Sequence, residues 1–212
     1  MFILYARLLM KKHSTQYKDS AFRLLFSTPD KLRGLYNALS GSSYGEDTPV
    51  VITTLKSVLS LGLRNDVSFT IAGKTIVLIE HQSTINPNMP LRLLLYIAAT
   101  YEMLIPRKDL YGRRKLKVPW PEFYLFYNGT YAFPDKTVLR LSELFEQAGR
   151  AQPSLELEVM AYNINAGHNK RLLKKSRELR EYARFVAVVR KKTAGRRQGG
   201  SVSACHKGMY RT

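Results

Sequence analysis

The sequence predicts an α/β (α+β) chain in which a mixed central β-sheet is flanked by helices. Three observations carry this. Residues 65–71 alternate polar and apolar, a short turn follows, and 75–82 are β-branched and apolar, as in a β-hairpin. Apolar residues recur at helical spacing in several segments before and after it. Further β-rich runs then alternate with helical ones, so the later strands reach the sheet through crossovers.

Taken in order, Ser14 to Phe26 carries Tyr17, Ala21, Leu24 and Leu25 at helical spacing. Ser27-Thr28-Pro29-Asp30 ends that helix and caps a second, which runs to about Leu39. Ser40 to Pro49 is a polar loop, Val50 to Leu55 reads as a short strand and Lys56 to Leu61 as a helical turn. Asn65 to Ile71 and Thr75 to Gln82 form the hairpin around Ala72-Gly73-Lys74. Asn88 to Met103 is a helix whose stripe is Met89, Leu91, Leu94, Leu95, Ala98, Ala99 and Leu104, with Pro90 accommodated in the first turn. Strands over Phe123 to Tyr127 and Leu155 to Tyr162 follow, separated by a loop and a helix near Ser142 to Gln147. A last long helix is expected from Asn169 to Arg190, and an aperiodic, basic, disordered tail over 191–212.

With 212 residues and 45% apolar residues, the chain can build one packed domain. It holds 34 Lys and Arg against 16 Asp and Glu, a net charge of +18, which points to a polyanionic partner. A single cysteine, Cys205, excludes an internal disulfide framework, and no Cys/His cluster stands at zinc spacing, so the expected compartment is the cytoplasm. The opening MFILYARLLM is too short to span a bilayer, and its lysines follow the apolar run, so neither a signal peptide nor a membrane partner is expected.

The hairpin holds the residues with chemical potential. If the turn is centred on Gly73, opposed residue numbers sum to 146 and Asp66 faces Glu80, with Gln82 on the same face and His81 on the other. A two-residue turn makes the sum odd and sends the acids to opposite faces. Two carboxylates side by side repel unless a cation holds both, and an all-oxygen donor set suits Mg²⁺ or Mn²⁺. A solvated strand face is the plain alternative. His81 and His168 read as structural or capping residues, and Tyr124, Phe126 and Tyr127 as strand packing.

Two basic stretches could track phosphates. Residues 170–197 hold twelve Lys or Arg, including Lys170, Arg171, Lys174 and Lys175, against two acids, and 107–117 hold six, including Arg113 and Arg114, against Asp109. Arg92 and Tyr96, one helical turn apart, suit contact with a phosphate or with Glu80.

The motifs Arg64-Asn65-Asp66-Val67-Ser68-Phe69, Leu78-Ile79-Glu80-His81-Gln82-Ser83-Thr84 and Asn86-Pro87-Asn88-Met89-Pro90-Leu91-Arg92 resemble the Rpn/YhgA-like recombination-promoting nuclease family, whose members are often labelled transposases, within the PD-(D/E)xK nuclease superfamily. The likeness extends through Tyr17 to Phe26, Tyr36 to Leu39, Tyr127-Asn128-Gly129 and Tyr162 to Asn169, and covers about residues 10–190. The resemblance implies a nuclease domain over 10–190 that cleaves DNA and promotes recombination, with a link to mobile elements. It implies Asp66 and Glu80 as catalytic metal ligands for Mg²⁺ or Mn²⁺, Gln82 at the place of the superfamily lysine, and Asp19 as an extra acid near the metal. Gln82 cannot carry charge, so the lysine's work of orienting water would be shared with another group. The expected mechanism is in-line attack of an activated water on a DNA phosphate.

Residues 1–9 read as an N-terminal extension, and the tail over 191–212 as the mark of a truncated or frameshifted gene. The alternatives are a catalytically degenerate DNA-binding relative and a transposase-like strand-transfer protein. A homodimer is left open.

Overall fold

A computed structural model describes residues 16–54, 65–146 and 153–204, with side chains for 20–54, 65–146 and 153–191. The expected helical turn at Lys56 to Leu61 lies outside the described residues. The chain is mixed α/β: one six-stranded mixed sheet carries helices on both faces.

Helices α1 (Gln16–Leu25) and α2 (Pro29–Ser40) come first, followed by strands β1 (Val50–Ile52), β2 (Val67–Ile71) and β3 (Thr75–Gln82). Next are α3 (Met89–Leu104), the single turn α4 (Arg107–Leu110), β4 (Trp120–Tyr127), β5 (Lys136–Arg140) with a 3₁₀ turn at Leu141–Leu144, and β6 (Glu158–Asn163). Helices α5 (Lys170–Lys175) and α6 (Arg177–Ala204) close the described chain. The strand order is β1-β2-β3-β4-β6-β5. β1, β2 and β3 pair antiparallel, β3, β4 and β6 run parallel, and β5 pairs antiparallel with β6 at the edge.

Side-chain alternation divides the core in two. Val67, Phe69, Ile71, Val77, Ile79 and Phe126 pack under α1, α2, α5 and α6. Ile76, Leu78, Leu125, Val159 and Ala161 pack under α3. Both faces of β3 are buried, which explains its nearly continuous apolar run.

Several sequence expectations are corrected. β5 was not foreseen, and the helix near Ser142 to Gln147 is a 3₁₀ turn at Leu141–Leu144. An edge strand pairs on one side only and its middle residues stay half-exposed, so KTVLR lacks a strong apolar signature. In α3 the buried stripe is Met89, Leu93, Tyr96, Ile97 and Thr100, while Leu91 and Leu95 are exposed. A helix so rich in apolar residues offers no single face for periodicity to select. The expected last helix breaks at Ser176, which takes an extended conformation (φ −115°, ψ 111°) while its Oγ accepts the Leu179 N–H. Such a side chain caps a new helix rather than continuing the old one. Finally, residues 191–204 are helical backbone, not an irregular tail. Extending a helix already anchored by Leu179, Tyr182, Val186 and Val189 requires no new nucleation.

Candidate active site

The site starts from the hairpin turn. Ala72 and Gly73 both have positive φ (55° and 63°), and the Lys74 N–H donates to the Ile71 carbonyl at 3.1 Å. Positive φ at both central positions gives a turn whose twist matches that of the strands it joins. Ile71 then pairs with Thr75, Ser68 with Leu78 and Val67 with Ile79, so opposed residues sum to 146. Carried one residue beyond the strand pairing, that register sets Asp66 opposite Glu80, and the Asp66 N–H donates to Glu80 Oε1 at 3.0 Å.

Both acids are buried, at 7% and 4% exposure. Asp66 Oδ2 accepts the backbone N–H of His81 at 3.0 Å. Its Oδ1 accepts both Nε (3.1 Å) and Nη2 (2.8 Å) of Arg23, from α1. Glu80 Oε2 faces Arg92 Nη2, from the first turn of α3, at 3.3 Å, and the same nitrogen donates to the Tyr96 hydroxyl at 3.0 Å. The two carboxylates are thus clamped between two half-exposed arginines contributed from opposite faces of the sheet. Burial first, then the Asp66 charge, pushes the Glu80 carboxyl up to about 8 against the opposing pull of Arg92 and Arg23.

Gln82 ends β3 on the same face as Glu80 and is half-buried. The backbone of Asp19 lies one turn before Arg23 on α1; its side chain is outside the described set. Lys170, Arg171, Lys174 and Lys175 are exposed on α5. That helix follows β6, whose Asn163 is level with Tyr127 and Gln82, so it rises from the same end of the parallel strands as the acids. Arg113 and Arg114 are exposed as well, but they precede Trp120, which pairs with Thr75 at the turn end of the hairpin. The structure therefore does not bring them to the acids.

Arg23 is the site residue that sequence reasoning missed. It sits 43 positions from Asp66 with no shared local motif, and only tertiary packing joins them. His81 points to the opposite face, where its ring stacks on Phe22 and its Nε2 lies 2.7 Å from the Tyr182 hydroxyl, which accepts from Asn128 at 3.1 Å. This is the structural histidine expected. His168 pairs with Asp135 at 2.5 Å in the loop after β6. Tyr124, Phe126 and Tyr127 are buried strand residues.

At the same end of the sheet, a cavity of about 720 Å³ lies beside the ends of β4 and β6, lined by Gly129, Asn163, Asn165 and Arg190 among others. Among the described residues no group of three or more His, Cys, Asp or Glu side chains is placed to hold a metal. Two carboxylates are nevertheless the usual protein contribution to a Mg²⁺ site, the rest being water and substrate phosphate. No helix among the described residues is long and apolar enough to cross a membrane. No family model, no curated protein and no solved structure matches this chain.

Proposed function

We propose that this chain is a metal-dependent DNA endonuclease with a PD-(D/E)xK-type core, acting in DNA recombination. The observation that carries the reading is the convergence of two buried carboxylates, Asp66 and Glu80, on one face of a hairpin. Adjacent buried carboxyl groups are retained at a cost, and such pairs, with their perturbed titration, concentrate at sites of chemistry. The donor set fits Mg²⁺ or Mn²⁺: hard carboxylate oxygens, with the Gln82 amide two residues along the same face. Bound there, the ion would supply charge neutralisation at the phosphate and a more acidic water.

The chain's own residues have definable tasks. The His81 and Asp66 amides fix the two carboxylates. Arg23 and Arg92 hold the pair in the absence of substrate and, being half-exposed, can turn to a phosphate. Gln82 would orient the attacking water through its amide. The exposed bases of α5, together with Arg190 in the neighbouring cavity, extend a positive path along which DNA can lie.

A second reading, a DNA-binding relative without catalysis, is favoured by two observations. Both carboxylates already have an arginine partner, and Gln82 stands where the superfamily lysine would.

The test is incubation of supercoiled plasmid with the purified protein and its Asp66→Asn and Glu80→Gln variants, in Mg²⁺, Mn²⁺ and EDTA. Nicked or linear product that needs metal and is lost in both folded variants supports the nuclease. Salt-sensitive binding without cutting in any metal supports the second reading, and joined products would point to strand transfer.

A further inference from the structure

On the face of the sheet opposite the acids, and nearer the amino ends of the parallel strands, lies a cavity of about 680 Å³. Its chemistry differs from the rest of a chain with net charge +18. Trp120, the sole tryptophan, lines it and is 72% exposed, and Tyr124 and Tyr162 stack at 6.5 Å between ring centres within it. Glu122 lies among them, accepting the Tyr36 hydroxyl at 3.0 Å and the Tyr124 hydroxyl at 2.7 Å. Each carboxylate oxygen keeps a second lone-pair direction, and among the described residues no cation pairs with Glu122. The Tyr36 phenol is pushed up to about 12 by burial and then by the Glu122 charge, and Tyr124 is raised by the same causes. A cation already occupies one aromatic surface of this cavity: Lys136 Nζ sits 5.6 Å over the Tyr162 ring.

Aromatic faces attract cations through their quadrupole, most of all Trp and Tyr, and a nearby carboxylate adds direct Coulomb attraction. A DNA phosphate would meet repulsion from the same carboxylate. We propose that this cavity binds an organic cation, a guanidinium or alkylammonium group, with Trp120 and Tyr124 as its aromatic walls and Glu122 as its counter-ion. Its volume leaves room for such a group together with the stem that carries it. Lys136, over the neighbouring Tyr162 ring, places a positive charge in the same cavity that a bound cation must face. The proposal is independent of the nuclease reading, because none of these residues contacts Asp66 or Glu80 through any hydrogen bond or ion pair described.

Trp120 makes the site observable, since as the sole tryptophan it can be excited selectively to the red of the tyrosines. The full chain would be titrated, at constant ionic strength, with Nα-acetyl-arginine amide, spermidine and the neutral isostere Nα-acetyl-citrulline amide. A saturable emission change with the cations and none with citrulline is expected. Glu122→Gln should weaken binding about tenfold, and Lys136→Met should strengthen it severalfold, a gain that misfolding cannot mimic. Tighter binding of capped arginine assigns the site to a polypeptide side chain, and tighter binding of spermidine to a free polyamine. An equal response to citrulline, or affinities unmoved by Lys136→Met, overturns the proposal. Asp66→Asn protein should bind the cations as the unaltered chain does, so this result and plasmid cleavage can fail separately.

Discussion

Arg23 brings two of its nitrogens, Nε and Nη2, to the same oxygen of Asp66, at 3.1 and 2.8 Å. The other oxygen remains with the His81 amide, so the carboxylate is oriented by one charged and one backbone partner. A charge-assisted bond to a buried acid contributes more than a surface ion pair, even though Arg23 itself is 43% exposed.

Replacing Arg23 with alanine should therefore destabilise the fold by about 1–3 kcal/mol, because it leaves a buried carboxylate short of its cation. Urea unfolding of Arg23→Ala, Asp66→Ala and the double variant checks this. The double variant should be less destabilised than the sum of the single ones, and simple additivity would refute the coupling.

Stability should depend on pH through Glu80. Its raised carboxyl means that the folded protein holds a proton that the unfolded chain releases near the ordinary value of 4.5. The contribution is full below about 4.5, is lost as pH climbs to about 8, and is flat above. The slope in that window should approach about 1.4 kcal/mol per pH unit and should vanish in Glu80→Gln. Denaturation midpoints between pH 5 and 9 are the measurement.

Tyr182→Phe should cost about 1–3 kcal/mol. The hydroxyl is fully buried between His81 and Asn128, and its loss leaves both without that partner. A thermal melt should show the drop while metal-dependent cleavage per folded molecule stays unchanged.

Two glycines should respond in opposite directions to alanine. A Cβ on Gly129 would fall inside the contact distance of the Ser83 carbonyl oxygen and the Tyr127 ring, so backbone has to move and stability falls. Gly34, inside α2, has open space around it, and Gly34→Ala should stabilise by about 0.5–1 kcal/mol. Paired melting curves decide.

DNA affinity should fall with salt, and neutralising Lys170, Arg171, Lys174 and Lys175 together should make that dependence shallower. The same treatment of Arg113 and Arg114 should change it less, since they lie at the turn end of the hairpin. Fluorescence anisotropy across a salt series separates the two sets.

The hairpin was readable from the alternation of Asn65 to Ile71, the Ala72-Gly73-Lys74 turn and the β-branched, apolar run that follows, but its register depended on the turn length, which the sequence left open between two parities. The pairing of Asp66 with Glu80 was one of the two outcomes, and the observed register, summing to 146, selects it. Arg92 was readable because it stands one helical turn from Tyr96, so both could be read as facing one polar partner. Arg23 was not, since its link to Asp66 is created by packing between distant elements. The edge strand β5 and the capped break at Ser176 were missed for the same kind of reason: their identity depends on a neighbour, not on their own composition. The aromatic and acidic cavity around Trp120 was hidden because its residues are scattered over three strands and a helix.

The tie between His81 and Tyr182 has a consequence for how the chain emerges from a ribosome. The two acids meet within one hairpin, which can close in microseconds once Gln82 has been made. Tyr182 is added 101 residues after His81, and at ordinary synthesis rates that is a delay of about 5–20 s. For that interval the nascent sheet carries its paired carboxylates already assembled, with the imidazole on their reverse side still uncovered. Helix α6, made long after the hairpin, is therefore what seals the layer beneath the site.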